Sequence, residues 1–242
     1  MPPLAKTVEF RPPALRFLRT LARHNDRRWF EAHRQDYERE VRDPMRALIE
    51  EMDVRFARFA PEIVGDPRRS MFRIYRDIRF SKDKSPYKTH AACWFYHRGA
   101  DRQVGREGEG GSAGFYFHLQ PGQSFIGAGI WMPPRGALTK IREALADDPP
   151  GFARVVGDRS VRRRFGDLSD EAVLKRMPRG FVEDHPAAPW LRYQSFTLGR
   201  GLSDTEAMAA RLPARLERDF ALLVPMVRWL NRALGLPPAT RR

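Results

Sequence analysis

The sequence predicts an α+β fold, an antiparallel sheet of about four or more strands from the middle of the chain, packed with N-terminal and C-terminal helices. Apolar residues recur at three- and four-residue spacing before residue 60 and after residue 135, and alternate with polar residues in between. There is also no internal repeat and no Pro/Gly/Ser-rich linker, which assigns residues 1–242 to a single α+β domain. Its N-terminal helices are expected over 13–59, its sheet over 71–131 and its C-terminal helical part over 136–234.

Residues 13–59 read as three helices. Ala14, Phe17, Leu18 and Leu21 form the apolar face of the first. His24-Asn25-Asp26 interrupts it, and Asp26 is placed to cap a second helix along which Trp29, His33, Tyr37 and Val41 recur every four residues. Asp43-Pro44 reads as a cap followed by proline at the first position of a third helix, with Met45, Leu48, Ile49, Met52 and Phe56 on its buried side.

Residues 71–80 alternate, with Phe72, Ile74, Ile78 and Phe80 on one face and Arg73, Tyr75, Asp77 and Arg79 on the other. Arg76 is the odd cation on the apolar face. A polar turn over 81–86 leads to a second strand over 91–97, and the Gly-rich, charged stretch 98–113 reads as an exposed loop. Strands over 114–119 and 124–131 are joined by Gln-Pro-Gly-Gln, a tight hairpin connection. Beyond Pro133-Pro134, Leu138, Ile141 and Leu145 share a helix face, and short segments follow at 149–157 and 169–176. Residues 181–196 have no regular pattern. Ser203-Asp-Thr-Glu206 is a capping box, and an apolar stripe runs from Met208 to Leu234, with Pro213 restarting or kinking the helix.

Composition excludes several classes. With 42% hydrophobic and 31% charged residues the chain is globular rather than disordered. The single cysteine, Cys93, excludes an internal disulfide and points to a reducing compartment. No apolar run is long enough to span a membrane, and Met-Pro-Pro-Leu-Ala-Lys lacks the apolar core of a secretory signal. The expectation is a soluble cytoplasmic protein with no membrane partner. A net charge of +14 favours anionic partners, although 38 arginines against six lysines also fits a compositional bias spread along the chain.

Three of the six lysines, Lys82, Lys84 and Lys88, fall together in the turn after the first strand. Lysine is a compact charge whose pKa responds to its surroundings, and arginine is not. Residues 73–90 therefore form the candidate site, with an anion-binding pocket expected over 76–90. Arg73, Arg76, Arg79, Ser81, Lys82 and Lys88 are expected to bind an anion, with Asn25 and Trp29 meeting the motif in space. Asp77, Lys84, Tyr87 and His90 are the candidate acid/base or orienting groups, Lys84 because crowding by other cations lowers a lysine's pKa. Three readings stand: a pocket for a phosphorylated or carboxylated small molecule, possibly with catalysis; a nucleic-acid-binding module; and a structural ion-pair network. Metal binding is not indicated, because His90, His97 and His118 match no short ligand motif, and nothing identifies a cofactor or an oligomeric state. Gly105-Arg-Glu-Gly-Glu-Gly-Gly lacks the Gly-Lys-Ser/Thr ending of a phosphate loop. Cys93, among apolar strand residues, reads as inert.

The chain resembles the family catalogued as domain of unknown function 2461. The resemblance rests on His24-Asn25-Asp26-Arg-Arg-Trp29-Phe30 and on the run from Arg73 through Asp77, Lys84 and Tyr87 to His90. It continues in Gly114-Phe-Tyr-Phe-His118-Leu, Gly127-Ala-Gly129-Ile-Trp131-Met-Pro133 and, more weakly, Leu174-Lys-Arg-Met-Pro178-Arg-Gly180-Phe. It covers nearly the whole chain and implies that the central run is a recurring pattern. It implies no activity.

Overall fold

The computed structural model describes residues 9–79, 82–100 and 111–239. Most of the expected glycine-rich loop, the N-terminal hexapeptide, and the Phe80 and Ser81 positions of the motif lie outside the described residues.

Helix α1 (Pro12–Arg23) buries Ala14, Phe17, Leu18 and Leu21, as their spacing requires. Asp26 then caps α2 (Arg27–Ala32), its carboxylate accepting from Trp29 N at 2.9 Å. The third predicted start is corrected. Helix α3 (Arg34–Tyr37), a π-helical turn (Glu38–Arg42) and α4 (Asp43–Phe59) run on from one another, and Arg42 and Asp43 both keep helical dihedrals. Pro44 has no N–H to give the preceding turn. The wider π turn absorbs both the missing bond and the ring, so the axis continues where a cap and a new helix were expected.

Among the described residues five strands pair antiparallel in chain order: β1 (Ile63–Val64), β2 (Ala91–His97), β3 (Gly114–Leu119), β4 (Ser124–Ile130) and β5 (Phe196–Leu202). The β3–β4 link is the expected tight turn, with Gln123 N bonded to Gln120 O at 3.0 Å and Gly122 at φ 70°. Strand β5 extends the sheet well beyond the expected 71–131 and pairs with β4 along its whole length.

Helices α5 (Arg135–Asp147), α6 (Pro149–Val156), α7 (Arg159–Phe165) and α8 (Ala188–Leu191) separate β4 from β5. The capping box opens α9 (Asp204–Ala207), which stops after four residues, and the apolar stripe restarts in α10 (Leu212–Ala233) with Pro213 in its first turn. Against the inner side of the sheet α4 and α10 bring together four buried rings: Phe56 lies 5.4 Å from Phe115 and 5.0 Å from Phe95, and Phe115 lies 4.7 Å from Phe220. Two buried carboxylates tie the elements. Asp219 on α10 accepts from Arg164 of α7 and Arg200 of β5, and Glu62 accepts from Arg228 of α10. No helix of the described residues is long and apolar enough to cross a membrane.

Strand alternation puts the other side chains on the outer face. The register aligns Trp94, Tyr116, Gly127 and Gly199 in one row across β2–β5, and Ala92, His118, Phe125 and Gly201 in the next.

A cationic ribbon and an imidazole–aromatic sheet face

The motif forms an irregular two-stranded ribbon that lengthens the edge of β2. Trp94 N and Phe72 N donate to Ser70 O and Ala92 O at 2.9 and 3.0 Å; further out, Lys88 N and Arg76 N donate to Ile74 O and Pro86 O at 2.7 and 2.9 Å. A regular strand over 71–80 is therefore corrected to two short paired stretches. Between the Met71–Cys93 and Tyr75–Tyr87 bridges, six residue steps on one side oppose four on the other. The surplus is a bulge at 88–91, and bulges re-aim side chains.

At the ribbon tip the charges engage one another. Arg79 Nε and Nη2 donate to the two oxygens of Asp77 at 3.0 and 2.6 Å, and Arg79 N donates to Asp77 Oδ1 at 3.2 Å. These bonds hold the Asp77 carboxyl well below the usual carboxylate range. Arg76, the odd cation, pairs with Asp83, whose carboxyl is also held low, first by hydrogen bonds from Ser85 and then by Arg76. Lys84 Nζ donates to Ile78 O at 2.9 Å. Arg73, Asp77, Arg79, Lys82 and Lys84 are all exposed. They sit at the tip of the ribbon, where both oxygens of Asp77 are engaged by Arg79.

Tyr87 leaves this company. Its ring is buried and stacked on Phe30 of α2 at 4.1 Å, and burial pushes its phenol up. Asn25, between α1 and α2, reaches the motif through the backbone: its Oδ1 accepts from Tyr87 N at 3.0 Å and its Nδ2 donates to Tyr87 O at 2.9 Å. Trp29 stacks on His33 at 4.1 Å and packs against Phe17 at 5.6 Å, on its own helix pair. Cys93 is buried, and burial pushes its thiol up, which disfavours the reactive thiolate.

The bulge instead carries Lys88 and His90 onto the outer sheet face. Lys88 Nζ lies 5.4 Å from the centre of the Phe72 ring, which meets Tyr116 edge-on at 6.0 Å. His90 packs on His118 at 4.2 Å, and His118 stacks on Phe125 at 4.6 Å. A polar chain fixes the His118 ring: Tyr116 Oη lies 3.1 Å from Nδ1 and Gln120 Oε1 lies 2.8 Å from Nε2. With the ring proton on Nε2, Tyr116 donates and Gln120 accepts, so both bonds are made at once. His97 does not join this pair; its Nε2 faces Pro237 O at 2.9 Å. Among the described residues no three His, Cys, Asp or Glu side chains are grouped to hold a metal ion.

Phe125 is 38% exposed, and its neighbours in the rows beyond, Gly199 and Gly201, carry no side chain. Gly129, on the same strand, is a steric necessity: at φ 122° a Cβ would lie 1.9 Å from Phe196 O. Tyr116 and Phe125 were not singled out from the sequence, although the even positions of Gly114-Phe-Tyr-Phe-His-Leu already place Tyr116 beside His118 on one strand face. A shallow depression of about 580 Å³ opens elsewhere, lined by Asp170, Val173, Ala188, Pro189, Arg192 and Tyr193, with no ribbon or outer-face residue in it.

Fold and face together define an α+β protein whose sheet is packed by helices on its inner side and bears an imidazole–aromatic row on its outer side. The chain belongs to the family described as Conserved hypothetical protein (DUF2461), whose model matches residues 13–229. No curated protein and no solved structure matches it.

Proposed function

We propose that the outer face of the sheet, with the ribbon beside it, binds an anionic ligand bearing phosphate or carboxylate groups. The observation that supports this is convergence: on one sheet face Lys88 lies over Phe72, which meets Tyr116 of β3, and His90 packs on His118 of β3. Positive charge is concentrated at the same edge, where residues 73–88 hold six Arg or Lys and two Asp, a net of +4. A lysine and an imidazole on one face suit phosphate or carboxylate oxygens. The reading is of binding rather than of proton transfer by Asp77, whose oxygens are taken by Arg79.

A thermal-shift series with inorganic phosphate, nucleoside monophosphates and citrate tests it. At least one anion raises the melting temperature of the wild type, and Lys88→Ala combined with His90→Ala removes the rise. No response of the wild type to any of them overturns the proposal. Lys82→Ala and Lys84→Ala serve as the structural control: exposed charges of this kind contribute about 1 kcal/mol or less, so the unliganded melting temperature stays near wild type. A large drop in either would make the tip a stabilising network instead.

A further inference from the structure

We infer that the anion is a single-stranded nucleic acid whose bases stack across the outer face of the sheet; this rests on the anion-binding reading above. Phe125 carries the inference. It is a large apolar ring, 38% exposed, yet fixed in place by stacking on His118 at 4.6 Å and 21°. One side of the ring is thus braced by the protein. Its cross-strand partner on β5 is Gly201, where an added Cβ would touch nothing within 4 Å, and the neighbouring row ends in Gly127 and Gly199. A strip of sheet beside the ring therefore carries no side chains, across two strands spaced about 4.8 Å apart. Glycine weakens a strand and recurs where a ligand approaches the backbone closely. A flat shelf next to a braced ring fits a planar base. Trp131, 51% exposed, stands six residues further along the same chain, about 20 Å away in extended backbone.

Charge selects the kind of planar ligand. The net charge of +14 and the +4 of the ribbon complement a phosphodiester chain, and stacking on aromatic side chains is how unpaired bases are held without sequence readout. A duplex keeps its bases inside and would offer the shelf nothing. An acidic protein surface would satisfy the charge but has no use for a bare shelf.

Fluorescence anisotropy with the full chain and a dye-labelled oligothymidine of about twelve nucleotides tests the inference. The competitors are an abasic phosphodiester strand of equal length and inorganic polyphosphate. The expected result is binding that weakens steeply between about 50 and 200 mM salt. The abasic strand should bind at least about tenfold more weakly than the oligothymidine, and Phe125→Ala should cost a similar factor. Gly201→Val fills the shelf at a position with open space around it, so it folds and also weakens binding, which keeps the test valid if Phe125→Ala is unstable. Equal affinity for the oligothymidine, the abasic strand and polyphosphate, unmoved by either substitution, overturns the stacking inference and leaves the anion surface standing. No binding of any of the three at low salt overturns both.

Discussion

Asn25 treats Tyr87 as a neighbouring strand would. Its side-chain amide gives the Tyr87 backbone one acceptor and one donor, at 3.0 and 2.9 Å, across 62 positions of sequence. The pair docks the cationic ribbon onto the α1–α2 corner, and the Tyr87 ring completes the joint by stacking on Phe30. Asn231 on α10 does the same for Ala113, its Oδ1 accepting from Ala113 N at 2.8 Å and its Nδ2 donating to Ala113 O at 3.2 Å.

Replacing Asn25 by alanine removes both bonds and leaves two backbone groups of a buried residue to find water. Each bond contributes about 0.5–1.5 kcal/mol net, so Asn25→Ala is expected to lower stability by about 1–3 kcal/mol. Asn25→Asp keeps the acceptor but sets a carboxylate oxygen against the Tyr87 carbonyl, and is expected to destabilise as well. Urea denaturation reads both, as a lower midpoint at an unchanged slope.

Asp219 is buried between two guanidiniums, Arg164 at 2.8 Å and Arg200 at 2.7 Å. The Arg200 side chain is only 14% exposed, so losing the carboxylate leaves a poorly solvated cation with Glu206, at 3.4 Å, and the Gly201 carbonyl for partners. Asp219→Ala is expected to cost about 3–5 kcal/mol. Restoring a buried pair is a matter of geometry as much as charge, so Asp219→Glu should recover little of the loss. Calorimetric melting temperatures of the two variants check this.

Glu62 is expected to make the protein acid-sensitive. Burial alone pushes its carboxyl up, but hydrogen bonds from Arg228 and from the backbone outweigh that and hold it below its ordinary value. A carboxyl whose folded pKa is depressed contributes stability that is fully present above its unfolded value, and that contribution is lost as pH falls through the folded value. Stability should therefore hold from neutral pH down to about 4.5 and fall below it, the unfolded chain taking up the proton first. In Arg228→Met the pairing is gone and the part of the acid loss due to Glu62 disappears. A urea midpoint measured against pH for both proteins shows the slope steep in the wild type and shallower in the variant.

Two outer-face glycines should answer alanine differently. Gly129 has φ 122° and a Cβ there would meet Phe196 O at 1.9 Å, whereas a Cβ at Gly201 meets nothing within 4 Å. Gly129→Ala is expected to cost about 3 kcal/mol or more by prising β4 from β5, and Gly201→Ala to stay within about 0.5 kcal/mol. Parallel thermal melts separate the two, and similar losses would mean that the strands adjust at both sites.

The ribbon shows how far local pattern reaches. Arg73, Asp77 and Arg79 are exposed, as alternation within 71–80 implies, and the lysines crowd the turn after them. Alternation cannot report the bulge, because the extra residues are visible only once 86–94 is laid beside 70–76. Tyr87 was indistinguishable from its charged neighbours for the same reason: its place in the core depends on Phe30 and Asn25, which lie far away in sequence.

What the sequence by itself determined is what neighbouring residues impose on one another. The apolar faces of α1, α4 and α10, the Asp26 cap, the Ser203–Glu206 capping box and the Gln-Pro-Gly-Gln turn all arise within a few positions, where helical or strand spacing alone sets which side chains meet. Tertiary structure decided the rest. Strand β5, with Gly199 and Gly201, has little strand propensity of its own and forms because β4 gives it a partner along its length. The meeting of Lys88 and His90 with Tyr116, His118 and Phe125 is likewise set by register and by one bulge. Pairing between strands distant in sequence is a property of the packed sheet, and a single row of side chains is assembled from segments that carry no trace of one another until the backbone hydrogen bonds align them.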